Sequence, residues 1–451
     1  MPGWIPSVSQ HFMWSALAVL VYVLSTRARG ERRAPAAAIA WVMGLALLPY
    51  LMLPLYIAFG RRKQRAPRNS RVPHSTEYAH WAAALLGGFG LRPPTRAEVR
   101  FHADGAESLE ALWTHIASAR ERLDVCMFLI GDDPVGREAL KRLADQARNG
   151  IKVRLLLDGF GGKTAPRGPL QALRAAGGQV SAFGPLLAWP SSGPPNLRNH
   201  RKLIIADGVR MWAGGRNLAI EYFQEHDGAA PWIDLTFDLT GAVAAVAALQ
   251  FECDWDRRRK PTEQTVPAVE IDSAGYAQFL PSGPDQPEDT AQALIVDACF
   301  RAQNRLLAVS PYFVPDDALR TGLRLAARRG VRVTLVLPAV SNHPLADFAR
   351  TRAMRELSDA GADIRLVPTM VHAKAIVIDD TLALSGSINL DSRSLLLNYE
   401  SEVVFYGTGE IAWLTKWIEA LATRGRPFAA RPPGLLRDLA EGLILAIAFQ
   451  L

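Results

Sequence analysis

A chain of 451 residues with 49% apolar residues, a net charge of +7 and three cysteines is long enough for two domains, or one duplicated domain, each with its own core. That argues against disorder. Cys126, Cys253 and Cys299 are odd in number and lack CxxC spacing, which argues against a disulfide framework or zinc ribbon and fits a reducing, cytosol-facing region. The positive charge suits an anionic surface, nucleic acid or acidic lipid, and composition does not choose between them.

The N-terminus chooses lipid. Residues 34–59 run 26 positions without a charge, against roughly 20 needed to cross a bilayer core. Residues 4–26 are also uncharged and predict a second transmembrane helix with a shorter apolar centre. A cleaved signal peptide fits poorly, because no basic segment precedes the apolar run. Arg27, Arg29, Arg32 and Arg33 precede the 34–59 span, and Arg61, Arg62, Lys63, Arg65, Arg68 and Arg71 follow it. The larger cluster places the rest of the chain in the cytoplasm, and a hairpin that dips in and returns would keep both clusters on one face. Residues 1–60 are therefore expected to form a membrane anchor and 61–99 a basic linker.

From residue 100 the pattern is α/β and occurs twice. Strand-like "RLDVCMFLI" (122–130), helical "GREALKRLADQARNG" (136–150) and strand-like "IKVRLLLDG" (151–159) are followed later by "RLLAVSPYF" (305–313), "DALRTGLRLAARRG" (317–330) and "VRVTLVLPAV" (331–340). This alternation predicts mixed β-sheets flanked by helices. Two pseudo-twofold-related domains are expected at 100–260 and 291–430. A Pro- and Gly-rich linker or surface crossing is expected at 261–290, and a C-terminal hydrophobic segment at 431–451.

Each half carries one copy of a motif: "HRKLIIAD" at 200–207 and "HAKAIVID" at 372–379, each followed ten residues after its Asp by Asn217 or Asn389. In a strand, His and Lys two apart share a face. Two such strands across a pseudo-twofold would present His200, Lys202, His372 and Lys374 to one cleft. The GGRN and GSIN turns would add backbone amide donors. This inventory suits a phosphodiester without a metal or cofactor: one imidazole attacks phosphorus, the other protonates the leaving oxygen, and Lys and Asn stabilise the charged oxygens. A single copy lacks the second histidine, which accounts for the duplication.

A histidine used in this way needs a carboxylate to fix its tautomer. Counting within each copy, Glu400 lies 28 residues after His372, and Asp234 takes the equivalent place in the first half after a short insertion. The motif acids Asp207 and Asp379 belong to the catalytic signature. Their position at a strand-to-turn junction predicts that they fix the turn by accepting backbone N–H bonds rather than touch substrate. Trp212, Trp232 and Trp255 are assigned to core packing.

The doubled HxKxxxxD with its GGxN and GSxN tails resembles the phospholipase D superfamily over roughly residues 100–425. The hairpin ending "PLYIAFGRRKQR", with "RNHRKLIIAD", "WIDL", "SPYFVPDDAL" and "SGSINLDSRSLLLNYE", is similar to bacterial cardiolipin synthases of the phospholipase D type. The resemblance implies transfer of a phosphatidyl group between two phosphatidylglycerol molecules with release of glycerol, at a bacterial inner membrane. His200 would be the nucleophile and His372 the acid. A hydrolytic phospholipase D differs only in the second acceptor and stays open. A nuclease suits the charge but not the two spans, so no nucleic-acid partner is expected, and intact motifs argue against a vestigial scaffold. The sequence does not fix the oligomeric state.

Overall fold

The computed structural model describes residues 7–29, 35–60, 63, 80–184, 196–256, 275–434, 437 and 441. The hydrophobic "GLILAIAFQL" and most of the basic cluster after residue 60 lie outside the described residues.

Three apolar helices open the chain, Val8–Arg29, Pro35–Leu47 and Pro49–Phe59. Their arrangement corrects the expected spans. Among the described residues, the helix long and apolar enough to cross a bilayer is the first, over Val8–Arg27. The uncharged 34–59 stretch is instead broken at Leu48, because Pro49 has no N–H to continue the ladder and disfavours helical backbone before it; Leu48 sits at φ −135° and ψ 57°. The pieces pack around Ala18, Tyr22, Leu45 and Tyr56, with Ser15 Oγ donating to the Ala46 carbonyl at 2.8 Å. Phe12, Leu20, Leu24, Ile39, Met43 and Leu51 point outward, each more than half exposed. Apolar outside and small or hydroxyl-bearing inside is the arrangement lipid favours.

The main body is a 15-stranded sheet made of two like halves. From its first edge inward, the first half runs Gln179–Phe183, Lys152–Asp158, Arg122–Met127, Leu203–Ala206, Arg210–Gly214, Thr236–Gly241 and Thr95–His102. The second repeats that order with Asp363–Val367, Arg332–Pro338, Arg305–Val309, Ala375–Ile378, Leu382–Gly386, Glu400–Phe405 and Tyr276–Ser282, and adds Arg426–Pro427 at its edge. In each half the three outer strands of the common order are parallel and the rest antiparallel. The halves join where Thr95 and Arg96 pair with Ala277 and Tyr276.

Two expected linkers are thereby corrected. Thr95–His102 begins inside the stretch read as a basic linker, which also holds the helix Trp81–Gly88. Tyr276–Ser282, inside the stretch read as a surface crossing, is buried at every position. The two are the same strand of each repeat.

The helices form by repeated local rules. Asp133 caps Pro134–Arg148 by accepting from Gly136 N at 2.9 Å, and Asp316 caps Asp317–Arg328 by accepting from Leu319 N at 2.8 Å. Gly150 and Gly330, at φ 84° and 90°, follow each helix in the left-handed conformation that ends it. These helices cover the outer faces of their sheets. Ala242–Trp255 and Thr408–Thr423 lie together in a shared inner core with Phe237, Phe251, Phe279 and Phe405. A Phe→Ala change in such a core costs about 3–5 kcal/mol. The sheets are thus held rigidly, and the segments at the carboxyl ends of their parallel strands are brought face to face.

Candidate active site

The two histidines are fixed by pairing across the halves. Tyr399 N donates to Arg198 O and His200 N to Tyr399 O, both at 2.9 Å; Ile233 N donates to Met370 O at 2.9 Å and His372 N to Ile233 O at 2.7 Å. Each histidine segment is therefore zipped to the residue just before the other half's carboxylate. As a result the acids exchange partners relative to the within-copy counting. His200 Nδ1 lies 3.0 Å from Glu400, and His372 Nδ1 lies 2.7 Å from Asp234.

His200, Lys202, His372 and Lys374 sit in extended segments just before the strands rather than inside them. Lys202 Nζ donates to the His200 carbonyl at 2.9 Å. Lys374 Nζ donates to the His372 carbonyl and stands 3.1 Å from its Nε2. Aromatic rings wall the imidazoles: Phe128 packs edge-on against His200 at 5.0 Å between centroids, Tyr222 likewise against His372 at 5.0 Å, and Trp232 leans over His372 at 5.6 Å. Trp212 is fully buried core and Trp255 packs beside Phe251, as assigned. Trp232 also packs against the first-half core, as assigned, and in addition leans over His372. The aromatic wall was missed because sequence spacing alone does not separate it from core; the adjacency of Trp232 to Asp234 was the available signal.

The Gly-rich turns also differ from expectation. A Cβ on Gly215 would lie 2.1 Å from Asp234 Oδ1. At the equivalent position Ser387 Oγ donates to Glu400 at 2.5 Å. Gly therefore makes room for the first acid, and Ser bonds the second. The amides of Gly215, Ser387 and Ile388 donate to Leu235 O, Ser401 O and Glu402 Oε1, so they hold the neighbouring strand rather than a ligand. Asn217 Nδ2 donates to Tyr222 Oη at 2.8 Å and Asn389 Nδ2 to Ser394 Oγ at 3.2 Å. The Oδ1 atoms of both asparagines are buried without a hydrogen-bond partner among the described residues.

Asp207 and Asp379 lie away from the imidazoles, at the opposite ends of their short strands. Asp207 accepts from Arg120, Glu121 and Arg122 N, and Asp379 from Gln303, Asn304 and Arg305 N, the closest contacts 2.8 Å. Both adopt left-handed backbone, φ 55° and 48°, which Asp tolerates better than most residues. They tie each motif turn to the start of the adjacent strand.

Burial and charge tune the cleft. Burial pushes His200 below its ordinary value against the pull of Glu400. Burial and the Lys374 ammonium bring His372 down to about 3. Burial and the neighbouring Lys374 charge lower Lys202 to about 7, and burial lowers Lys374 to about 8. Burial pushes the carboxyls of Asp234 and Glu400 upward, but their histidine and lysine neighbours outweigh it and hold both below the ordinary range. Glu402, buried near Lys374 and Glu400, goes well above. Each imidazole thus has Nδ1 against a carboxylate, and Lys374 Nζ also stands 2.8 Å from Nδ1 and 3.1 Å from Nε2 of His372, so that this ammonium shares the His372 ring with Asp234.

The chain is similar to known proteins over most of its length. The family described as "Cardiolipin synthase, PLD-like domain" matches residues 112–255 and 295–422. Cardiolipin synthase A of Pseudomonas aeruginosa is 33% identical over 429 residues, 89% of this chain and 87% of that one. Cardiolipin synthase A of Pseudomonas putida is 33% identical over 394 residues, 82% of each chain. The crystal structure of phosphatidylserine synthase from Haemophilus influenzae superposes with a TM-score of 0.67 at 14% identity, covering 82% of this chain and 100% of that chain, and shows the shared fold. The chain belongs to the phospholipase D-like cardiolipin synthase family and is an enzyme of the phosphatidyltransferase class.

Proposed function

We propose that this enzyme makes cardiolipin from two phosphatidylglycerol molecules through a phosphatidyl-histidine. The observation that carries the reading is the exchanged pairing, in which each histidine holds the other half's carboxylate through Nδ1 and both lysine charges act on both imidazoles. His200 Nε2 attacks phosphorus, the bond to the glycerol oxygen breaks, and His372 gives that oxygen its proton. The hydroxyl of a second phosphatidylglycerol then attacks, His372 takes its proton, and the P–N bond breaks. Lys202 and Lys374 balance the charge on the non-bridging oxygens, and Asn217 and Asn389, with their amides rotated, add donors.

The low value of His372, set first by burial and then by Lys374, opposes its role as acid. A bound phosphodiester raises its proton affinity by drawing the Lys374 ammonium onto its own oxygens and adding negative charge beside the ring, which offsets the lysine's share and works against the burial.

The apolar helices at the N-terminus anchor the enzyme in the bacterial inner membrane, with the sheets on the cytoplasmic side. This placement rests on the length and composition of Val8–Arg27 and on the basic residues that follow Phe59. The test uses purified full-length protein with phosphatidylglycerol vesicles and separates cardiolipin from phosphatidic acid. Cardiolipin with equimolar glycerol is expected; phosphatidic acid alone would make the enzyme a hydrolase.

A further inference from the structure

Two turns on the cleft side expose apolar residues at symmetry-equivalent positions. Lys152–Asp158 and Arg332–Pro338 are the same strand of the two repeats, and two residues past each end stand Phe160 and Val340, 59% and 72% exposed, with Leu345 at 54% just beyond the second. Both turns are tied to the cleft. Phe160 N donates to Asp158 Oδ1 at 2.7 Å, and the next residue, Gly161, abuts Phe128, the ring against His200. In the second half Tyr312 Oη donates to Asn342 at 2.7 Å, and Ser310 Oγ donates to the Tyr312 carbonyl at 2.7 Å while accepting at 3.0 Å from Leu390 N, next to Asn389.

The anchor reaches the same side. Asn196 Nδ2 donates to the Phe59 carbonyl at 3.4 Å. Three residues on, Asn199 N donates to Asp158 Oδ2 at 2.9 Å, the same carboxylate that holds the Phe160 turn. Lys63, just past the last helix, grips the carbonyls of Gly283, Gln286 and Glu288 at 2.9–3.1 Å and Asp289 at 2.9 Å. The chain therefore leaves its apolar helices against the cleft face. Exposed Lys163, its Nζ 5.9 Å from the centre of the Phe160 ring, and exposed Arg167 further along the chain match an anionic surface.

We propose that Phe160, Val340 and Leu345 form a paired lip that enters the headgroup and upper acyl region of the bilayer holding the anchor, so that lipid passes to the histidines without crossing water. Aromatic and aliphatic side chains beside basic ones are suited to that interface. The substrate named here rests on the proposed reaction; the insertion does not.

The test uses the full chain with Cys253→Ala, carrying a nitroxide at Phe160→Cys, Val340→Cys or, for comparison, Val209→Cys on the exposed hairpin turn at the opposite end of the sheet. In vesicles of phosphatidylglycerol and phosphatidylcholine, the labels at 160 and 340 should be reached by oxygen and shielded from a nickel chelate, and the label at 209 the reverse. Equal nickel access at all three positions would overturn the proposal. Phe160→Ser combined with Val340→Ser should slow turnover of vesicle phosphatidylglycerol about tenfold, from lost apolar burial, and leave turnover of monomeric short-chain phosphatidylglycerol unchanged. An equal effect on both substrates would also overturn it. Inserted labels in a protein that makes no cardiolipin would remove the proposed reaction and leave the lip standing.

Discussion

His200 Nδ1 lies 3.0 Å from the carboxylate of Glu400, a residue 200 positions later in the other half of the chain. The reciprocal pair, His372 and Asp234, is 2.7 Å apart. Neither half can therefore orient its own histidine. Glu400→Gln and Asp234→Asn should each lower kcat by about a hundred- to ten-thousandfold, the range for losing a tautomer-fixing acid or a general acid. The exchange has its own signature in double variants. Asp234→Asn should add little to His372→Ala and act more nearly independently of His200→Ala; the opposite pattern in kcat would show that the acids serve their own copies.

Asp207 and Asp379 should affect folding and not chemistry. Asp207→Ala removes an acceptor for three backbone N–H groups and places Ala at φ 55°. It should lower stability by about 1–3 kcal/mol in denaturant melts, with kcat per folded molecule unchanged. A large fall in kcat at unchanged stability would put these acids into the reaction.

The lysines give a pH dependence of definite sign. Their values are lowered to about 7 for Lys202 and about 8 for Lys374, so the charges are present below that range and lost as pH rises through it. kcat/KM should therefore fall between pH 7 and 8, and Lys202→Arg, which keeps its charge, should move the alkaline limb upward even if its maximum rate is lower. An unmoved limb would assign it to another group.

Activity should survive EDTA. In the proposed reaction two lysines and two asparagines supply the charge and donors for the phosphate, and among the described residues no three His, Cys, Asp or Glu side chains converge to hold a metal ion. Loss of activity in EDTA that one added divalent metal restores would contradict this; the assay needs only cardiolipin yield against chelator concentration.

Much of this was legible in the sequence because the signals were local and doubled. The His, Lys and Asn spacings and the strand–helix–strand order each repeat. What stayed hidden was long-range. Thr95–His102 alternates in the way a half-buried strand does but follows Pro93, Pro94 and a basic stretch, and Tyr276–Ser282 carries Pro281, so both are passed over as linker until their partners across the sheet are seen. The crossing of Asp234 and Glu400 is a property of the pseudo-twofold packing, invisible to counting within a copy. In the anchor, charge and length suggested one span over 34–59, but Pro49 broke it, a backbone effect that hydropathy does not register.

The most direct test of the account is rapid-quench peptide mapping of acid-labile, phosphatidyl-modified protein from the unmodified enzyme, His200→Ala and His372→Ala. The substrate should carry a nitrophenyl headgroup, whose departure needs little help from an acid. The account predicts label on His200 in the unmodified enzyme, none in His200→Ala, and slow labelling of His200 in His372→Ala. Label on His372 in the His200→Ala protein, with none on His200 in the reciprocal variant, would contradict the assignment, and no label in any of the three would contradict the covalent mechanism.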